Sequence, residues 1–184
     1  MFNALSKEAD KHGHKLISAS ASEGTLGQEH LFELLDLVDD SKYVFVLETN
    51  VMTLGHDRDF ALALARFKNL HVRVSIKGSN KKEYNKLTGA ISGSYDLPFK
   101  ALDYLIDAGV SCNACVMVSF SNKSSIAEVK EKLYDVWPGL LKSVEMENIT
   151  LFPKEAESLA NANIVPKTIR HRGKIINVNK GGFV

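Results

Sequence analysis

The residues with chemical capacity cluster where apolar runs stop. Residues 18–23 (SASASE) follow one such run; Glu48-Thr49-Asn50 follow a second and Ser75-Ile76-Lys77-Gly78 a third. Val118-Ser119 and Phe152-Pro153 close two more. Carboxylate, amide, hydroxyl and ammonium groups placed this way can hold a small polar ligand. In parallel α/β folds, ligands bind at the carboxyl ends of the strands. Glu23, Glu48, Asn50, Ser75 and Lys77 are therefore expected to converge on one mouth. Any single strand end carries turn formers as a matter of course. Four in succession lean mildly towards a site.

Other reactive types carry less. Arg73 lies between Val72 and Val74, so period two puts Arg73 and Ser75 on one face and Val72, Val74 and Ile76 on the other. An arginine facing a barrel interior needs an anionic partner, because an unpaired buried charge is costly. Glu48 is the candidate, and a structural ion pair is at least as good a reading as a ligand contact. Cys112 and Cys115 are the only cysteines and are formally Cys-x-x-Cys. In a strand, side chains three apart point to opposite faces, so they read as two ordinary buried thiols rather than a zinc or redox pair. The six histidines show no ligand spacing beyond a weak His12-x-His14, so no metal residues are assigned. There is no Walker loop, Gly-x-Gly-x-x-Gly, Gly-x-Ser-x-Gly or His-Glu-x-x-His, and no catalytic residues are assigned.

The elements positioning these residues alternate. Helices are predicted over 3–12, 29–40 (with Leu31, Leu34, Leu35 and Val38 on one face), 57–67, 80–87, 96–109, 126–137 and 154–163. Strands are predicted over 14–18, 43–50, 70–76, 110–119 and 144–152, with residues 174–178 as an edge strand. The nearly all-apolar 43–50 run reads as covered on both faces. Thr25 with Gln28, and Ser125 with Glu128, resemble capping boxes. Asp57 caps its helix, Pro98 fits a first turn, and Gly109 suits a C-terminal cap. No Asn-Gly hairpin signal joins successive strands, so parallel pairing follows. The fold class is α/β: a partial (β/α) barrel of about five parallel strands with helices outside, or else an open doubly wound sheet.

The 184 residues are 45% hydrophobic and 24% charged, which suits one domain with a short appendage. The organisation expected is a partial barrel over 1–153 and a C-terminal helix with a basic tail over 154–184. Net charge is +1, so no global field favours nucleic acid or an anionic membrane. Lys167, Arg170, Arg172, Lys174 and Lys180 form an acid-free tail. It reads as a solvated face first and as a contact arm for an acidic partner or RNA second. Without interleaved aromatics, nucleic acid is disfavoured. No apolar stretch matches a membrane span or a signal peptide, so a cytoplasmic protein without a membrane partner is the expectation. Two cysteines exclude a disulfide scaffold, and also an iron–sulfur cluster needing three or four thiolates from this sequence alone.

The strand-end segments resemble the radical S-adenosylmethionine superfamily, most closely its uncharacterised archaeal-type Fe–S oxidoreductases. ISASASEGTLGQEHLFELLDLV is similar to the superfamily's ISGGEPTLG…HL…LL segment, and VFVLETNVMTLG to its ETNG…LG strand. FKNLHVRVSIKGSNKKEYNKLTGA, DAGVSCNACVM and ENITLFP are similar to its later strands, so that the resemblance spans residues 14–153. It implies a (β/α)6-type partial barrel, S-adenosylmethionine and a [4Fe–4S] cluster. It also implies cofactor contacts: Ser22 and Glu23 in the position of Gly-Gly-Glu-Pro, Glu23 holding the amino group, Ser75 and Lys77 meeting ribose or carboxylate, Asn50 shaping the pocket, and Met117 with Val118 flanking adenine.

The departures fall on cofactor loops. The superfamily's Cys-x-x-x-Cys-x-x-Cys belongs upstream of residue 14 and is absent. Gly-Gly-Glu-Pro reads Ala21-Ser22-Glu23-Gly24, and Thr-Asn-Gly reads Thr49-Asn50-Val51. Valine resists positive φ, so the loop at Val51 is expected to have changed shape. The expectation is a radical SAM-like fragment or relic, inactive alone, either from a piece of a larger gene product or from a retained scaffold. The alternative is a non-enzymatic module that forms homo-oligomers through an exposed sheet edge, with a missing N-terminal segment as a further partner.

Overall fold

Strict alternation of burial in residues 70–77 sets the architecture. Leu70, Val72, Val74 and Ile76 are buried, while His71, Arg73, Ser75 and Lys77 face the other way. A strand like this has one face packed under helices and one left open. The computed structural model describes residues 2–18 and 23–178.

Helix α1 (Phe2–His12) precedes strand β1 (Leu16–Ser18), and a single 3-10 turn at Gly24–Leu26 leads into α2 (Gln28–Asp39). β2 (Val44–Thr49) is followed by α3 (Met52–His56) and α4 (Arg58–Leu64). β3 (Leu70–Lys77) leads to α5 (Lys81–Thr88), then α6 (Leu97–Asp107). β4 (Cys112–Met117) is followed by α7 (Lys123–Val136), α8 (Leu140–Ser143) and β5 (Glu145–Glu147). Finally come α9 (Pro153–Asn161), β6 (Thr168–His171) and β7 (Lys174–Asn177).

Strands β1 to β5 form one parallel sheet in sequence order, a curled half-barrel with helices around it. The partial barrel, rather than the open doubly wound sheet, is therefore correct. Sequential order follows from short β–helix–β connections, which lay each new strand beside the last. The core sits between the sheet and the helices. Phe45 and Leu47 of β2, Leu31, Leu34, Leu35 and Val38 of α2, and Leu102 and Leu105 of α6 are all buried there.

Several local expectations change. β2 is not covered on both faces. Phe45, Leu47 and Thr49 are buried, but Glu48 is exposed, because the half-barrel leaves its concave side open. Thr25 does not cap α2; its hydroxyl donates to Glu23, and Gly27 stands at the N-cap without a side-chain bond. The capping box of α7 lies three residues earlier than expected. Asn122 accepts from the Ser125 N–H, and the Ser125 hydroxyl accepts from the Asn122 N–H. α3 went unforeseen. The edge strand expected over 174–178 is present as β7, but its partner is an unforeseen β6, paired antiparallel across Arg172 and Gly173, both at positive φ. The strand expected over 144–152 is only three residues long. Past it, an isolated parallel bridge joins Thr150 to Arg170 of the hairpin, which forms a separate two-stranded sheet. Its start is held by the Ser119 carbonyl, which accepts from Lys167 and Thr168 N–H.

Candidate functional site

The carboxyl-terminal rim is organised by Glu23. Its Oε1 accepts from the Thr25 hydroxyl at 2.7 Å and the Thr49 hydroxyl at 2.5 Å. Its Oε2 accepts the Asn50 N–H at 2.8 Å. One carboxylate thus fastens the loop after β1 to the end of β2. The chain after β2 is fixed in turn: the Thr49 hydroxyl accepts from the Val51 N–H, and Asn50 Oδ1 accepts from the Met52 N–H at 3.0 Å.

Val51 does occupy the left-handed region, at φ 55 and ψ 20. Valine's resistance to positive φ is thus overcome at this position. The backbone takes a conformation a glycine would favour, and valine bears a strain of about 1–2 kcal/mol. Full burial of its side chain offsets that cost.

Ser75 and Lys77 lie on the open face of β3, and Met117 pairs in register with Lys77 on the same face of β4. Among the described residues, the Ser18 hydroxyl is the one buried side-chain polar atom with no hydrogen-bond partner. Its register with Val46 puts it on the same side as Glu48 and Ser75. Ser22 lies outside the described residues. Ser75, Lys77 and Met117 thus share the open face of β3 and β4, whereas Glu23 is tied to the end of β2 at Thr49 and Asn50, and no hydrogen bond joins Ser75, Lys77 or Met117 to Glu23.

Deeper on the concave face, Arg73 is the hub. The Glu48 pairing expected from period two is present, Nη1 to Oε1 at 3.1 Å. Two further partners were not foreseen. Glu145 Oε2 lies 2.8 Å from Nη2, and Glu147 Oε1 also accepts from Nη2. Nη2 also approaches Cys115 Sγ at 3.0 Å. The hydrogen bond from Arg73 holds the Glu145 carboxyl below the usual range. For Glu147, burial pushes upward, but hydrogen bonds from Cys115 and Arg73 outweigh it and the net shift is down. The signal for these partners was available: Glu145-Met146-Glu147 has two acids at period two on a strand parallel to Arg73's neighbour.

The concave cluster bears on metal chemistry. Among the described residues, the group of three side chains able to hold an ion is Cys115, Glu145 and Glu147. Arg73 already contacts all three as their cation. The two cysteines face opposite sides of β4, since Cys115 shares its face with Ser75, and Cys112 is packed with the core. Burial pushes the Cys112 thiol up to about 11, and burial plus the Glu147 carboxylate also raises Cys115. A [4Fe–4S] cluster needs several thiolates on one surface, so these residues do not fit one. The rim offers polar groups of the kind that hold an organic cation. Glu23 Oε2 carries one hydrogen bond and retains acceptor capacity, and Ser18 offers an unmatched hydroxyl.

No family model matches the sequence, and no curated protein matches it. Solved structures do match. Streptococcus suis SuiB bound to S-adenosylmethionine superposes with a TM-score of 0.63 at 17% identity, covering 86% of this chain and 36% of SuiB. SuiB bound to precursor peptide SuiA gives 0.59 at 17% identity, covering 73% of this chain and 29% of that one. Native anSMEcpe with bound AdoMet gives 0.51 at 17% identity, covering 87% of this chain and 50% of that one. The chain therefore spans half or less of the length of these structures. No helix among the described residues is long and apolar enough to cross a membrane. At such identity the likeness is one of fold alone: five parallel strands in a curled half-barrel with helices around it.

Proposed function

We propose that the strand-end rim binds S-adenosylmethionine, and that the chain is a radical SAM-like Fe–S oxidoreductase fragment or relic with no radical activity of its own. The observation that carries the reading is the placement of Glu23 against the end of β2, beside the open faces of β3 and β4. Glu23 holds the cofactor's ammonium through its remaining acceptor capacity. Asn50 shapes the adjacent wall, with its side chain turned back to the Met52 N–H. Ser75 and Lys77 meet ribose or carboxylate, and Met117 lies along the adenine face. Ser22 belongs to the same loop as Glu23 in this reading. In enzymes that carry both groups, reductive cleavage of the cofactor supplies a carbon radical that abstracts hydrogen. The two thiols here cannot provide the iron ligands that such cleavage requires.

Calorimetry with S-adenosylmethionine and S-adenosylhomocysteine tests the rim. Saturable heat that Glu23→Gln removes supports it; silence with both ligands refutes it. Anaerobic iron reconstitution tests the second half, where a stoichiometric cluster on this chain alone would refute the inactive reading.

A further inference from the structure

A second concavity of about 370 Å³ opens outside the rim. Its walls come from α5, the loop after β4 and the segment before β6. Three of its side chains are ammonium groups: Lys82, Lys86 and Lys167. None of them lies within ion-pair distance of a carboxylate among the described residues. The one acid in the lining, Glu83, is directed elsewhere. Its Oε2 accepts from the backbone N–H and hydroxyl of Ser79, both at 3.0 Å, and from Ser121 at 2.7 Å. Its Oε1 accepts from Ser125 at 3.1 Å. Glu83 is thus held by the fold and pairs with none of the lysines, and its charge leaves the lining with an excess of two positive charges. The amides of Asn80 and Asn122 complete the polar part, and the rest of the wall is apolar, with Leu87, Phe120, Ile164 and Val165, the last 57% exposed. The first turn of α7, next to Asn122, contains no acid, so its helix dipole adds to the positive potential.

Three unpaired cations beside an apolar wall match one class of ligand: a doubly charged anion on an apolar or aromatic body. We propose that this cleft binds a phosphate monoester of an aromatic or apolar group. Lys82, Lys86 and Lys167 take the phosphate; Phe120, Leu87 and Val165 cover the body. The site does not depend on the cofactor reading of the rim.

Titration calorimetry with 1-naphthyl phosphate tests it. The expected result is saturable binding that weakens as salt is raised. Inorganic phosphate, lacking the apolar body, is expected to bind at least tenfold more weakly. Neutral 1-naphthol, lacking the charge, is expected to do the same. Combining Lys82→Gln, Lys86→Gln and Lys167→Gln is expected to reduce affinity at least tenfold; all three side chains are exposed, so the fold is retained. Glu23→Gln is expected to leave this binding unchanged. Absence of saturable binding, 1-naphthol binding equally well, or full affinity in the triple variant would overturn the proposal. Loss of binding in Glu23→Gln would overturn it too, by placing the anion at the rim.

Discussion

Replacing Arg73 with methionine tests how the concave face is held. Methionine keeps the stem length and removes the guanidinium. Arg73 is 18% exposed, and its carboxylate partners are between 36% and 48% exposed. Removing one partner of a buried pair costs about 3–5 kcal/mol. The exposure of the acids lets water screen what remains, so about 2 kcal/mol is the better figure here. For a chain of 184 residues that corresponds to a Tm lowered by about 4–8 °C. The pH dependence carries the sharper test. Glu145 and Glu147 have folded pKa values depressed below the ordinary 4.5. Their contribution is therefore present above that pH and is lost as pH falls through the folded values. The gap between wild type and Arg73→Met should be full at pH 7 and shrink below about pH 4.5. Thermal unfolding of both proteins across pH 3.5–7.5 (roughly the span in which carboxylates titrate) measures it. Equal stability at pH 7, or a gap constant with pH, refutes the reasoning.

Glu83→Gln should behave alike. Burial alone would raise this carboxyl, but the Ser79 N–H and the three serine hydroxyls lower it, so its stabilising share is present at neutral pH and lost on acidification. A loss of about 1–3 kcal/mol at pH 7, smaller at pH 4, is expected from urea midpoints. Gly55→Ala places a Cβ 2.5 Å from the Leu97 carbonyl oxygen and forces α3 off α6. The expected cost is about 1–3 kcal/mol by the same assay, and an unchanged midpoint contradicts the packing described. Cys112 and Cys115 should react with a thiol reagent at pH 8 many-fold more slowly in the native protein than in urea, because burial keeps both protonated. Rapid labelling of the folded chain would show that β4 is not covered as described.

Period and composition made the sheet readable before any coordinates. The strand 70–76 was legible because Val72, Val74 and Ile76 alternate with polar residues, and α2 because its four core leucine and valine positions repeat at helical spacing. Short elements were not legible. α3 is five residues long and contains Gly55, so no periodic signal can build up over it. The hairpin was hidden because Arg172-Gly173 is an unusual bearer of two positive φ angles. At the rim, residue type suggested Glu23 but could not tell that its oxygens already serve Thr25, Thr49 and Asn50. Arg73 showed its need for an acid, yet two of its three partners lie more than seventy positions away and needed the correct extent of β5.

The turn at Val51 adopts a left-handed backbone without the glycine that usually permits one. What dictates it instead is a set of acceptors already in place around it, on Glu23, Thr49 and Asn50. A rim braced in this way carries its shape into the encounter with any guest. The guest then pays little to immobilise the backbone it meets, and shape complementarity, rather than loop ordering, decides how tightly it stays.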